Sequence, residues 1–203
     1  MFKIYNNYLG VAALAILAAF VPTISSATLI DFEALSNGTV VTNQFADVSF
    51  SPNVGFQNLV TTQPGIGAGA NFICTGAGGG INCTQETILT FSTGVSGLSF
   101  LQVGDNQTVN GATVAQVDVF VGGVFNSTVA ILGDTNFNNP NLVDLTAFSN
   151  VTSIRIHNIT DGGGLGWDNF NFTPGNTGVP EPATLALLGL GLAGLGFSRR
   201  KNT

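Results

Sequence analysis

The chain has 203 residues, with five Lys and Arg against eleven Asp and Glu, one His and two Cys. So few basic residues cannot build the cationic surface that nucleic acid requires. Two Cys and one His cannot supply a four-ligand zinc site.

The first residues read as a secretory signal peptide. Lys3 supplies the positive start, Leu9 to Phe20 the apolar core, and Ser25-Ser26-Ala27 the small-residue cleavage site. Cleavage is expected between Ala27 and Thr28. A domain of residues 28–178 then follows, and residues 179–203 form a separate tail. Four of the five bases (Lys3, Arg199, Arg200 and Lys201) lie outside the domain, which keeps ten acids against Arg155 alone, a net charge of −9. A surface of that kind meets cations or neutral polymers more readily than anions.

Within the domain, residues 28–33 alternate as a strand, with Ile30 and Phe32 on one face and Asp31 and Glu33 on the other. Ser36-Asn37-Gly38 is a turn. Short strands are expected at 39–42, 47–51 and 56–62. Residues 63–83, rich in Gly and Ala, show no periodicity and read as one long loop. Strands resume at 86–91 and 98–103. Residues 113–121 alternate most cleanly, with Ala115, Val117, Val119 and Val121 facing one way and Gln116 and Asp118 the other. Gly122-Gly123 turns them into a strand over 124–132. Further strands are expected at 142–148, at 151–159 with Arg155 and His157 outward, and at 165–173. No segment of the domain reads as a helix, because Lys, Arg and Glu are scarce while β-branched residues, Phe and turn formers dominate. Short strands at this spacing predict an all-β, antiparallel two-sheet sandwich, with a jelly roll as the favoured variant. A β-helix is the alternative, but the chain has no fixed repeat.

Cys74 and Cys83 flank a Gly-rich loop in an exported chain, so a local disulfide is expected. Closing a loop of about ten residues stabilises by ~2.7 kcal/mol in the chain-entropy account.

No catalytic residues emerge. His157 is the one histidine, sits mid-strand, and has no nucleophile elbow near it. The ten acids of the domain allow many carboxylate pairs, so a secreted glycan-active enzyme stands as the alternative to a binding or structural role. Asp134-x-Asn136-x-Asn138 has the rhythm of a calcium loop. It lacks the glycine and glutamate such a loop needs, since Asn139 and Leu145 stand there. Trp167, the sole Trp, is either core or a platform for a sugar ring.

The tail places Pro180-Glu181-Pro182, an apolar run over 183–197 and Arg199-Arg200-Lys201 in strict order. Pro fixes φ and lacks an N–H, which holds the Pro-Glu-Pro peptide extended for reading in an open groove. The apolar run, at 1.5 Å per helical residue, reaches only about 22 Å, short of a bilayer core near 30 Å, which suits temporary retention as a short transmembrane helix. The basic cluster stays cytoplasmic. This tripartite tail resembles the PEP-CTERM sorting signal. The resemblance implies an exosortase as partner, passage through the secretion machinery, a transient stay in the inner membrane of a Gram-negative envelope, and delivery to the cell surface or an exopolysaccharide or biofilm matrix.

A second resemblance rests on Asp31-Phe-Glu33, Gly38 to Phe45, Val48-Ser-Phe50 and Trp167 to Phe172. These stretches look like the ends of jelly-roll domains found in PEP-CTERM proteins, an architecture similar to carbohydrate-binding modules. Such modules often hold a structural calcium between their first and last strands, which implies Asp31 or Glu33 and Asp168 as ligands here. Asp168 has the parity of Phe170 and Phe172 and is expected to point toward the sandwich.

Overall fold

A computed structural model describes residues 26–66, 69–77, 82–106 and 109–175. Most of the signal peptide and the whole sorting tail lie outside these residues. The described residues form ten β-strands and no helix, hence no helix long and apolar enough to cross a membrane. The strands are β1 (Thr28–Ile30), β2 (Val48–Pro52), β3 (Gln57–Thr62), β4 (Asn71–Gly76) and β5 (Thr87–Val103). They continue with β6 (Thr113–Val121), β7 (Val124–Leu132), β8 (Asn141–Asp144), β9 (Val151–His157) and β10 (Gly166–Pro174).

β5 joins two layers. Its first part, Thr87 to Phe91, pairs with β2 on one edge and β9 on the other. Its last part, Val95 to Val103, pairs with β10 and, through Ser99 to Gln102, with β8. One layer therefore runs β3-β4-β10-β5-β8, with β1 beside β10, and the other runs β2-β5-β9-β6-β7. The register slips between Thr90 and Val95, where the strand passes from layer to layer. Gly94 lies in that passage, and an added Cβ there would collide with the side chain of Asn150.

The inner faces meet through aromatic side chains. Phe50 of β2 lies 5.7 Å from Phe170 of β10, and Phe91 of β5 lies 5.1 Å from Phe172. Phe32, Phe100 and Trp167 complete the cluster, and all three are buried. Each such ring contributes about 1.5–3 kcal/mol through burial. The described domain is a two-layer antiparallel β-sandwich built around these rings.

A smaller core of Ile66, Phe72, Cys74, Cys83 and Val103 covers the other face of the first layer. It explains why β4 escapes a sequence reading that made residues 63–83 one loop. Every residue of β4 is buried, with Ile73 turned to the main core and Phe72 and Cys74 to the small one. A strand covered on both faces has no alternation to read. Other segments also differ from expectation: the strand expected at 142–148 ends at Asp144, where Asp144 Oδ1 accepts from the Thr146 N–H and turns the chain. The opening strand stops at Ile30, because Phe32 sits at φ 57° and turns the chain. The expected strand at 39–42 reduces to one bridge between Val40 and Leu59. The strands expected at 86–91 and 98–103 are one strand, β5.

Candidate functional site

β6 and β9, separated by β7 and β8 in sequence, lie side by side. Their register sets Asp118 opposite Arg155 and Gln116 opposite His157. All four project from the outer face of the second layer, because their neighbours Val117, Val119, Ile154 and Ile156 fill the core. Arg155 donates to Glu86 Oε2 from Nε at 2.9 Å and from Nη2 at 2.6 Å. Its Nη1 lies 3.9 Å from Asp118 Oδ2. His157 Nε2 stands 3.1 Å from that same oxygen, at ion-pair separation rather than in a well-aligned hydrogen bond. Thr128 Oγ1 donates to Asp118 Oδ1 at 2.6 Å. Partial burial would raise the Asp118 carboxyl. The bond from Thr128 and the close approach of His157, with the charges of His157 and Arg155, outweigh it and hold the carboxyl below the usual carboxylate range.

An open cleft of about 390 Å³ lies over this cluster, lined by Asn53, Thr84, Gln85, Glu86, Gln116, Arg155, His157, Asn158 and Ile159. Asn158 Nδ2 donates to Gln116 Oε1 at 3.2 Å, which orients both amides. The lining thus offers amides, a hydroxyl, a guanidinium, an imidazole and a carboxylate, from strands β6 and β9 and the loops beside them. Such a set both donates to and accepts from hydroxyl groups.

The carboxylate at the β1–β10 seam has the opposite environment. Asp168 is 1% exposed. Burial first, then the charges of Glu33 and Asp31, push its carboxyl up to about 7 against the bond it accepts from the Asn169 N–H. The parity expected for it is corrected. Asn169 adopts φ 49°, and the register against β5 shifts between Asp168 and Asn171. This bulge puts Trp167 and Phe170 on the Phe100 side, while Asp168 pairs with Leu101 and shares its outward side. Glu33 Oε1 accepts from the N–H groups of Ala70 and Asn71, and Asp31 Oδ1 accepts from that of Glu33. Among the described residues, no three His, Cys, Asp or Glu side chains stand close enough to hold a metal ion.

Trp167 is fully buried, 5.9 Å edge-on from Phe100, so the reading of it as a sugar platform is corrected to core. Cys74 and Cys83 are bonded, as expected. Cys83 also bridges Gly164, whose φ of 78° and contact with the Cys83 backbone leave no room for a side chain. The bridge therefore ties β4 to the start of β10. The Asp134 to Asn138 loop is held by Asp105 Oδ2, which accepts from the Asp134 and Thr135 N–H groups, and by its own bonds, Asn136 N–H to Asp134 Oδ1 and Asn138 N–H to Asn136 Oδ1.

Glu86, Gln116, Asn53, Thr84, Gln85 and Asn158 were not singled out as site residues by sequence reasoning. Its readable signal was that Gln116 and Asp118 share the outward face of one strand and Arg155 and His157 that of another. The pairing that joins the two strands is not local in sequence.

Comparisons with known proteins bear on the two ends of the chain differently. No curated protein matches it. Among solved structures, it is similar to a family 35 carbohydrate binding module from an environmental isolate, at 16% identity and TM-score 0.36, covering 73% of this chain and 93% of that one. It is similar to a carbohydrate binding module from Cellvibrio mixtus lichenase 5A in complex with cellotriose, at 15% identity and TM-score 0.31, covering 70% and 100%. It is also similar to an F5/8 type C domain from Bacteroides fragilis, at 12% identity and TM-score 0.31, covering 73% and 93%. Scores this low decide nothing about its residues, and the two-layer assignment rests on strand pairing and ring contacts alone. Residues 178–201 match the PEP-CTERM protein-sorting motif, which takes in Pro180, Glu181, Pro182, Arg199, Arg200 and Lys201. The motif marks an exported precursor that is held at the membrane and sorted to the cell surface. The chain carries a PEP-CTERM protein-sorting motif behind an all-β domain.

Proposed function

We propose that the β-sandwich is a non-catalytic binding module that an exosortase releases to the cell surface or matrix of a Gram-negative bacterium, where its cleft holds a neutral, hydroxyl-rich polysaccharide. The carrying observation is the cleft over Arg155 and His157. β6–β9 pairing sets Gln116, Arg155 and His157 side by side, and the one guanidinium is already matched by Glu86 and Asp118. A cleft whose only arginine is neutralised in place has little to offer an acidic polymer, whereas sugar hydroxyls find donors and acceptors together. Glycoside hydrolysis by carboxylates requires a general acid with a raised pKa. Asp118 is held low instead and acts as an acceptor and anchor. Tail cleavage is assigned near Pro180-Glu181-Pro182, and Glu181→Ala should leave the protein in the membrane fraction. A glycan array run beside a hydrolysis assay tests the module: retention of neutral glycans without turnover supports it, and turnover contradicts it.

A divalent cation at the β1–β10 seam is a second part of the proposal. It is supported by Asp168, a buried carboxyl that Asp31 and Glu33 repel. Calcium, with its oxygen ligands, would relieve that repulsion. Asp31 and Glu33 would have to close on Asp168, since the three do not yet converge. Calcium should then raise the unfolding midpoint more than magnesium or matched sodium, and Asp168→Asn should abolish the difference. Equal shifts in all three salts would leave only charge screening.

A further inference from the structure

The two ends of the sandwich carry different groups. Phe91 of β5 faces Phe172, and Phe50, opposite Leu89 of β5, faces Phe170. The layers therefore lie over each other, and both ends of β5 point away from its passage at Gly94. The end at that passage is one connected surface. Gly175 N–H donates to Gly94 O at 2.7 Å, Gly94 lies against Asn150, and Asn150 O accepts from Gly122 N–H at 3.1 Å. Gly123 N–H donates to Thr152 Oγ1 at 2.9 Å, which pins the tip of the β6–β7 hairpin. The tip thus shares one end with Gly175, where the described chain hands over to the sorting tail. Val124 is 69% exposed there and Phe125 54%, with Phe120 5.9 Å edge-on behind Phe125. Among residues 45–48, 92–97, 121–125, 148–151 and 172–175, Asp47 is the one charged side chain. The opposite end holds Glu86 and Asp105, which flank β5, with Asp134 bonded to Asp105 and Asp161 bonded to Asn106. It also holds the cleft of Arg155 and His157. β9 runs from the first end, at Val151, to the second, at His157, about 20 Å away.

We infer that, while its tail holds it at the membrane, the sandwich rests on the lipid surface through the tip of the β6–β7 hairpin, Val124 and Phe125 foremost, with the cleft turned away. The tail selects the bilayer as the occupant. From Gly175 to Ala183, where the apolar run of the sorting motif begins, eight residues reach at most ~28 Å. The hairpin end is therefore kept close to lipid. An exposed apolar tip held there buries its surface in the interface rather than leaving it in water. Charge sets the same direction. Anionic lipid repels the end with four acids, of which Arg155 matches one, more than the end with Asp47 alone. β1 starts at Thr28 opposite Phe172, so a signal peptide ahead of it leaves from the tail's end as well and adds no contrary pull. The cleft then faces solvent before the tail is cut.

The test uses the full chain in vesicles of phosphatidylethanolamine and phosphatidylglycerol with brominated acyl chains, which quench an indole only close to them. Phe125→Trp and, separately, Val124→Trp report on the tip. Val54→Trp reports on the opposite end, beside Asn53 of the cleft, and the wild type, whose Trp167 is buried, gives the background. All three positions are exposed, so each variant should keep the wild-type unfolding midpoint. An indole at the tip should lose about half or more of its added emission, because a seated tip lies about 5–10 Å into the interface. Val54→Trp should lose none beyond the background. Quenching at the tip above that of Val54→Trp supports the inference. No quenching at either tip position would overturn it and place the hairpin in solvent or against another protein. Equal quenching at Val54→Trp and at the tip would also overturn it, since the domain would then have no preferred end toward the lipid.

Discussion

Asp118 and Asp168 are the same residue on strands of the same sandwich, and their surroundings drive them apart. On the outer face of the second layer, Asp118 has Arg155, His157 and Thr128 within reach, and its carboxyl is held low. At the β1–β10 seam, Asp168 is buried with Glu33 and Asp31 as its charged neighbours, and it is pushed to about 7. The first is a carboxylate matched by opposite charge on paired strands. The second is a buried carboxylate with no ion pair among the described residues. One region is therefore suited to recognition as it stands, and the other to taking up a proton or a cation.

The largest effect should come from erasing the seam. In the unfolded chain Asp168 ionises near its ordinary value of 3.8, but in the folded protein only near 7. Well below 3.8 both states are protonated and the group costs nothing. As pH rises from about 4 to 7, the unfolded chain loses the proton first, so stability falls; above about 7 the loss is constant at roughly 4 kcal/mol at most. Asp168→Asn should remove that slope and raise the unfolding midpoint at about pH 8 while leaving it nearly unchanged at about pH 4. Equal midpoints for the two proteins at about pH 8 would refute the seam as a site of stored repulsion.

The next effect is opposite in sign. Asp118→Asn removes the negative charge and the Oδ2 acceptor that Arg155 and His157 face, while keeping an Oδ1 for Thr128, and should destabilise by about 1–2 kcal/mol near neutral pH, measured by urea unfolding. The Asp118 contribution is present above the ordinary carboxylate pKa and is lost as pH falls through its lowered folded value. A stabilised Asp118→Asn would erase the contrast between the two carboxylates.

The sequence makes these regions legible to different degrees. The alternation in 113–121 and 151–159 gives both strands of the recognition face and the outward side chains on each, although β9 stops at His157. What joins them is a pairing across β7 and β8, and Gln116 gains its meaning only beside His157. At the seam, Asp31, Glu33 and Asp168 are named by resemblance, and the charges of the first two raise Asp168. Strict alternation nevertheless puts Asp168 on the wrong side, because it has no warning of the bulge at Asn169. The same rule loses β4, whose two buried faces erase the pattern, and it leaves Trp167 ambiguous until Phe100 is seen against it.

The smallest change in stability, and the most direct test of function, belongs to the cleft. Gln116→Ala and His157→Ala alter side chains that line the cleft without filling the core, so folding should change by only about 0.5–1 kcal/mol. Titrating the exported protein with a panel of soluble neutral and acidic polysaccharides, with released sugar measured in parallel, decides the matter. The account predicts retention of at least one neutral polymer, no release of sugar, and about a tenfold or greater loss of affinity in both variants. Binding that survives both substitutions, a preference for acidic polymers, or sugar release abolished by Glu86→Gln would contradict it.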